Sequence, residues 1–137
     1  MLISCDKESR SEFATGISEK GILGRWKLVE TTSSNGTAGL NKVDMSSENY
    51  IVTFYSNGKI EAPDFPCSGE YFFEKNKAGD DGDHKLSASF DKCKSSQALW
   101  YTINGNADAR IVDHNNLILN SKTCDEPCTR IYRRLKE

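Results

Sequence analysis

The chain has 137 residues, of which 36% are hydrophobic and 28% charged, and its formal net charge is −2. This length and balance fit one globular domain that is large enough to bury a core. Because lysines and acidic residues are interspersed, no basic stripe indicates nucleic acid as a partner. No apolar run is long enough to form a membrane-spanning helix.

The first twenty residues predict a tether rather than a packed element. Leu2-Ile3-Ser4-Cys5 resembles a bacterial lipobox, in which the cysteine carries lipid and a signal peptide precedes the motif. The polar residues 6–11 that follow have too little apolar surface to fold. The alternative is a free thiol in a frayed terminus. We therefore divide the chain into residues 1–20, the lipobox remnant and tether, and residues 21–137, the folded domain.

The first strand is predicted to begin at Gly24-Arg25-Trp26 and to continue with alternating residues to Thr31. Glycine at its start lets the backbone turn tightly, and tryptophan supplies apolar bulk together with an indole N–H that needs a partner. This placement favours Trp26 as the side chain that closes one end of a small antiparallel barrel. Residues 32–47 lack periodicity and are predicted to form a long loop.

Short strand-like runs joined by turn signals fill the rest of the chain. Residues 50–55 alternate and are rich in β-branched and aromatic side chains, and Asn57-Gly58 then marks a tight hairpin. A second Asn-Gly pair, at 104–105, predicts a hairpin between residues 99–103 and 107–112. The remaining predicted strands are residues 59–62, 71–73, 86–90, 117–120 and 130–135.

This regular spacing of strands, with no clear helix after residue 22, indicates an all-β fold. We predict an antiparallel up-and-down β-barrel of about eight strands. Closure removes the exposed sheet edges that invite aggregation. An interior of about eight strands is just large enough for side chains or one small ligand.

Cysteine spacing predicts two local disulfides. There are five cysteines, and Cys5 is the one left without an internal partner. A hairpin centred near Asp80 would place Cys67 opposite Cys93, within disulfide range.

Cys124 and Cys128 flank a turn, so a bridge between them would close a second short hairpin. A zinc site formed by the four cysteines is a competing interpretation, and the wide spacing of Cys67 and Cys93 argues against it. Unpaired buried thiols are the third possibility.

Several short motifs, taken in chain order, resemble those of a bacterial lipocalin-like lipoprotein. The resemblance covers about residues 20–136, and its motifs are Gly24-Arg25-Trp26 and residues 54–59, 67–71, 117–119 and 132–134. It implies that a basic residue of the last strand packs across Trp26 and helps to close the barrel, where a cation over an indole is favourable by about 0.5–2 kcal/mol. The candidates are Arg130, Arg133 and Arg134.

The resemblance also implies a location in the bacterial cell envelope. A lipid on Cys5 would anchor the chain to the outer membrane, at its periplasmic face or at the cell surface. We expect the protein to be a monomer.

A barrel of this kind would have a pocket at its mouth, where ligand sites occur preferentially. The loop predicted at residues 32–47 follows the first strand, where lipocalin-like barrels carry a lid over the mouth. The alternative for each large inward side chain is that it simply fills the core. The pocket candidates are Leu28, Phe54, Tyr71, Phe73, Trp100 and Tyr132.

We therefore expect a carrier or scavenger of a small hydrophobic ligand, of the fatty-acid or isoprenoid class. The alternative is a protein-interaction module with a filled barrel, such as a barrel-type inhibitor of an exported peptidase. The chain offers little for catalysis, because its histidines, His84 and His114, lie in predicted turns. Asp80-Asp81-Gly82-Asp83 lacks the loop length and closing glutamate of an EF-hand. We expect no enzyme, no catalytic residue, no metal and no cofactor.

Overall fold

A nine-stranded antiparallel sheet closes on itself in the computed structural model, which describes residues 11–34, 40–75, 84–121 and 128–137. Each strand from β3 to β9 pairs with the next, and β9 returns to β1. The prediction of an all-β antiparallel barrel of eight strands is confirmed, with β2 as an additional strand and no α-helix among the described residues. The strands are β1 Gly24–Ser34, β2 Leu40–Asp44, β3 Ile51–Phe54, β4 Lys59–Glu61, β5 Gly69–Lys75, β6 His84–Ser89, β7 Gly105–Val112, β8 Asn116–Ser121 and β9 Cys128–Arg134.

Strand β1 is long enough to pair with two different strands along one of its edges. Its first half pairs with β3 and its second half with β2, while its other edge pairs with β9. The register shifts between Leu28 and Glu30, a β-bulge that increases the local twist. Between β2 and β3 the chain leaves the sheet in the short 3-10 turn Ser46–Glu48.

The prediction of a loop at residues 32–47 is wrong over most of its described length. β1 continues to Ser34, and Leu40–Asp44 forms β2 against it. The outer side chains of β2, such as Lys42 and Asp44, are exposed. This hairpin therefore lacks the apolar alternation that marks a strand with one buried face. Residues 35–39 lie outside the described residues.

The strand registers fix which connections share an end of the barrel. Gly24 pairs with Phe54, and Trp26 pairs with Arg134, so β1 and β3 meet β9 at one end, the Trp26 end. The connections β3–β4 and β7–β8 lie at that end. The opposite end, the mouth, carries residues 62–68 between β4 and β5, and residues 90–104 between β6 and β7.

Residues 90–104, here called the mouth segment, form no strand. The predicted hairpin between residues 99–103 and 107–112 is wrong, because β7 pairs with β6 and β8. Residues 99–103 instead bury Tyr101 and Ile103, and their backbone bonds to side chains rather than to a neighbouring strand. Tyr101 and Ile103 are thus buried because the segment packs across the mouth, not because it belongs to the sheet.

A disulfide joins the two connections at the mouth. Cys67 and Cys93 are bonded as predicted, with their Cα atoms 6.0 Å apart. Both lie beyond the ends of the paired strands β5 and β6, so the bond holds the mouth segment to residues 62–68. The predicted Cys124–Cys128 bridge lies outside the described residues, because Cys124 and the side chain of Cys128 are not described.

Candidate functional site

The Trp26 end of the barrel is closed by packing and hydrogen bonds. Trp26 is fully buried, and its indole N–H donates to the carbonyl of Ile22 at 2.8 Å. The Arg134 guanidinium lies 4.3 Å from the centre of the Trp26 ring. Gly24 has φ +115°, and a Cβ atom there would lie 3.4 Å from Nη1 of Arg134, so glycine suits both the backbone and the contact.

The other two basic residues considered for this role lie elsewhere. The guanidinium of Arg133 lies 4.0 Å from the centre of the Phe13 ring, on the outer face of β9. Arg130 lies toward the mouth and donates from Nη1 to the carbonyl of Thr102 at 2.7 Å. Of the three, Arg134 alone packs over Trp26.

Residues 11–23 fold against the Trp26 end rather than extending freely. Phe13 forms a β-bridge with Leu135, and Asn115 donates to the carbonyl of Gly16 at 2.8 Å. Lys27 is buried beneath this segment and forms an ion pair with Glu12 at 2.9 Å. Residues 11–20, predicted to be tether, therefore contribute to the closed end. Cys5 lies outside the described residues.

The deep interior of the barrel is filled by side chains. A void that holds even one water molecule would leave accessible surface on the side chains that line it. Seven inward side chains have a relative accessibility of 0%, so no such void touches them: Trp26, Leu28, Val52, Ile60, Leu117, Leu119 and Tyr132.

The predicted pocket residues fall into three groups. Leu28, Phe54 and Tyr132 lie in the filled core. Tyr71 and Phe73 are half-buried and pack against that core from β5. Trp100 lies in the mouth segment with 67% of its surface exposed, so it does not line the interior of the barrel.

A buried carboxylate holds the mouth segment in place. Asp64 is only 1% exposed, and it accepts a hydrogen bond from the Tyr50 hydroxyl at 2.9 Å and another from the Thr102 hydroxyl at 2.7 Å. Its backbone carbonyl accepts from the N–H of Ser96 at 2.8 Å. The Tyr50 hydroxyl in turn accepts from the N–H of Ile103 at 3.0 Å. Desolvation is the main cause that raises the pKa of Tyr50.

The mouth segment crosses the whole barrel opening. It leaves from β6 and returns to β7, which lie opposite β1 and β3 in the closed order of strands. Yet its Ile103 reaches Tyr50, which directly precedes β3, and its Thr102 reaches Arg130 on β9. The segment therefore covers the mouth, the position that the sequence assigned to residues 32–47.

Two inward polar side chains lie beneath this cover. Arg130 and Tyr132 share the inner face of β9, because side chains alternate along a strand. The Tyr132 hydroxyl is buried and makes no hydrogen bond of good geometry among the described residues, although the Arg130 guanidinium is close enough to act on it as a weak hydrogen-bond partner. Burial raises the pKa of Tyr132 to about 12, the Arg130 cation lowers it, and the carboxylate of Asp64 raises it. The mouth thus contains a polar cluster of Tyr50, Asp64, Thr102, Arg130 and Tyr132.

Sequence reasoning missed the arrangement of this cluster. It offered Arg130 only as a partner for Trp26, and it gave no role to Tyr50 or Thr102. One available signal was the alternation of Arg130, Tyr132 and Arg134 in the last strand. With Tyr132 inward, this alternation puts two arginines inside the barrel.

The described residues contain no group of three or more His, Cys, Asp or Glu side chains that could hold a metal ion. Within the same part of the chain, no helix has both the length and the apolar character needed to cross a membrane.

Comparison with family models, with curated proteins and with solved structures finds no match for this chain. The barrel mouth is therefore identified as the candidate site from its geometry alone.

Proposed function

We propose that this chain is a lipocalin-like lipoprotein that binds a small apolar ligand at its mouth, in space that the mouth segment occupies when no ligand is bound. The observation that carries the proposal is the difference between the two ends. The Trp26 end and the deep barrel are closed by strands and filled by core side chains. The mouth is covered by a segment outside the sheet, which side-chain hydrogen bonds and one disulfide hold in place.

Movement of the mouth segment would open apolar space. Tyr101 and Ile103 belong to the hydrophobic core, so their displacement leaves a gap of the size of those two side chains. The wall opposite Tyr50 carries the small inward residues Ala107 and Ala109. An apolar ligand that takes the place of Tyr101 and Ile103 restores the buried contacts that the segment loses.

A tether to Cys5 would leave the barrel at its Trp26 end, opposite the mouth, and this fits a ligand site at the mouth. Five residues separate Cys5 from Ser11, and a fully extended run of that length spans up to about 18 Å. Residues 11–23 contact the Trp26 end. A lipid on Cys5 would therefore hold the Trp26 end near the membrane and leave the mouth free to receive a ligand. Cys5→Ala should then release the folded barrel from the membrane fraction of cells that express it with a signal peptide, and continued membrane association would contradict the lipid anchor.

A second candidate is a protein-interaction module. It is favoured by the filled deep barrel together with Trp100, a large aromatic side chain exposed on a segment that the disulfide anchors. Aromatic side chains of this kind are enriched at interface hot spots. In that case the mouth segment stays in place and is itself the binding surface.

Tryptophan fluorescence distinguishes the two candidates. The chain has two tryptophans, Trp26 at the closed end and Trp100 on the mouth segment. Titration with 1-decanol should shift the emission saturably in the wild type, and Trp100→Phe should remove most of the shift while binding persists in a thermal-shift assay. At a hundredfold excess over the dissociation constant, the ligand should stabilise the fold by about 2.7 kcal/mol. Absence of saturable binding by 1-decanol, decanoate and decyl phosphate would reject the carrier function in favour of the interaction module.

A further inference from the structure

Strand β2, Leu40–Asp44, has one edge that no other strand covers. Closure of the barrel gives each of its eight strands a neighbour on both sides, whereas β2 lies at the end of the strand order and pairs only with β1 among the described residues. Its side chains from Asn41 to Asp44 are exposed. An edge strand presents a row of backbone N–H and C=O groups that can pair with another strand. The free edge of β2 is therefore a candidate interaction surface.

The bonds between β2 and β1 show which backbone groups of β2 point to the free edge. The N–H of Met45 donates to the carbonyl of Val29 at 2.9 Å, and the register places Asp44 opposite Glu30. Bonded and non-bonded pairs alternate along an antiparallel ladder, so the odd-numbered residues of β2 bond to β1. Lys42 and Asp44 therefore direct their backbone N–H and C=O groups to the free edge.

The side chains of β2 are self-complementary in charge. Lys42 and Asp44 lie on one face of the strand, and Val43, which is 39% exposed, lies on the other. Both hydrogen bonds from Ser46 to Asp44 end on Oδ1, and they lower the pKa of that carboxyl, which keeps it charged at neutral pH. A lysine on an edge strand usually discourages pairing. A copy of the same strand would instead offer that lysine an acidic partner.

Charge selects one register for two copies of β2. The backbone groups at the free edge allow an antiparallel pairing centred on Lys42, on Val43 or on Asp44. Centring on Lys42 or on Asp44 sets like charges directly opposite each other, which is destabilising. Centring on Val43 sets Lys42 opposite Asp44 of the second copy, and conversely. It also brings the two exposed Val43 side chains together on the other face.

We propose that two copies of this chain associate through β2, antiparallel about a two-fold axis at Val43, as a weak dimer. Each Lys42–Asp44 pair exchanges both of its backbone hydrogen bonds and adds an ion pair on the outer face. The contact is short, so association is reversible. This differs from the monomer expected from the sequence, in which Leu40–Asp44 carries no strand signal. The dimer does not depend on the proposed ligand site.

Cross-linking tests the register. Val43→Cys and Asn41→Cys are compared under mild oxidation in the full chain with Cys5→Ser, which also gives the background rate. The proposed register sets the two residues 43 opposite each other, with Cβ atoms about 4.5–5.5 Å apart, and the two residues 41 about 14 Å apart. We expect Val43→Cys to form covalent dimer at least about tenfold faster than Asn41→Cys, because only thiols near disulfide range can bond without backbone movement.

Charge exchange tests the ion pairs by sedimentation equilibrium. Lys42→Glu sets acids opposite acids, and Asp44→Lys sets lysines opposite lysines, so either variant alone should have a dimer dissociation constant at least about fivefold higher than the wild type. A mixture of the two variants has opposite charges in both pairs and should recover association as a heterodimer. Lys85→Glu, which reverses an exposed charge on β6, is the matched control and should leave self-association unchanged.

Equal rates of cross-linking in Val43→Cys and Asn41→Cys would overturn the register. Wild-type protein that stays monomeric at the highest concentration it reaches would overturn the dimer and leave the β2 edge to a different partner. A mixture of Lys42→Glu and Asp44→Lys that associates no more strongly than either variant alone would overturn the charge pairing. The titration with 1-decanol is independent of these measurements, so the dimer and the ligand site can fail separately.

Discussion

The hydroxyl of Tyr50 donates to Oδ1 of Asp64 at 2.9 Å, and both side chains are buried at the mouth of the barrel. The same hydroxyl accepts from the N–H of Ile103, so one atom joins the start of β3, the β4–β5 connection and the mouth segment. Because Tyr50 and Ile103 come from opposite sides of the barrel, this contact holds the cover across the opening.

Tyr50→Phe tests that contact. It leaves the Asp64 oxygen and the Ile103 N–H without their partner in a buried place, so we expect the free energy of unfolding to fall by about 2–4 kcal/mol. Tyr55→Phe is the matched control, because the Tyr55 hydroxyl bonds to Glu61 at the surface. That control should stay within about 0.5 kcal/mol of the wild type in urea denaturation. Equal effects of the two substitutions would contradict the role of Tyr50.

Arg134 is expected to be the most sensitive arginine for stability. Its guanidinium donates to the carbonyls of Leu23, Gly21 and His114 and to Oδ1 of Asn115, besides packing over Trp26. Arg134→Ala leaves the buried Asn115 oxygen and three partly buried carbonyls without their donor and exposes the Trp26 ring, so it should cost about 3 kcal/mol or more.

Two further variants show whether this loss is specific to the position and geometry of Arg134. Arg134→Lys should recover little, because an ammonium cannot reproduce the planar fork. Arg133→Ala, which removes a cation over Phe13, should cost about 1 kcal/mol or less by the same denaturation measurement. A cost for Arg133→Ala as large as that for Arg134→Ala would show that the closed end does not depend on this one side chain.

Alkaline pH should destabilise the fold through its buried tyrosines. The pKa of Tyr132 is raised to about 12, while a tyrosine in the unfolded chain ionises near pH 10. Above about pH 10 the unfolded state therefore binds fewer protons than the folded state, and stability falls as pH rises toward 12. Below pH 10 the group contributes no pH dependence, because both states are protonated.

Tyr132→Phe should reduce the slope of stability against pH between about pH 10 and 12 by about 1.4 kcal/mol per pH unit. The measurement is urea denaturation at several pH values, with the wild type as reference. An identical slope in wild type and variant would contradict the burial of the Tyr132 hydroxyl.

Loss of the Cys67–Cys93 disulfide should lower the free energy of unfolding. Cys67 and Cys93 are 26 residues apart in sequence, for which the chain-entropy model gives a stabilisation of about 3–4 kcal/mol. We expect Cys67→Ser combined with Cys93→Ser to lose about that amount in chemical denaturation. Cys5→Ser controls for removal of a thiol and should leave stability unchanged. An unaltered unfolding midpoint in the double variant would contradict a structural role of the bond.

The fold was predictable from sequence where one face of a strand is apolar. The alternation in residues 50–55, the apolar run at 117–120 and the Asn57-Gly58 turn predicted strands and a hairpin that the structure contains. The β1–β2 hairpin was missed because its side chains at Asn41–Asp44 are exposed, so no periodicity marks it.

The mouth was predictable only in part. Residues 99–103 are rich in apolar side chains and precede an Asn-Gly pair, as a hairpin strand would. Tyr101 and Ile103 are instead buried because they cross the opening, which depends on contacts with Tyr50 and Arg130 far away in sequence. Spacing did pair Cys67 with Cys93. The buried Asp64 carried no local signal, because its donors come from residues 14 and 38 positions away.

Hydrogen exchange of the mouth segment, with and without decanoate, tests most directly whether this segment is a displaceable cover over a ligand site. The amides of Ser96 and Ile103 bond to Asp64 and Tyr50. Without ligand, these amides should exchange by local opening, with an opening free energy well below that of the β1 and β9 amides. Decanoate should speed exchange in residues 96–104, because a displaced segment loses its hydrogen bonds. It should slow exchange at residues 130–132, which the ligand would cover. Exchange of the mouth segment only through global unfolding, with no effect of decanoate, would contradict the account.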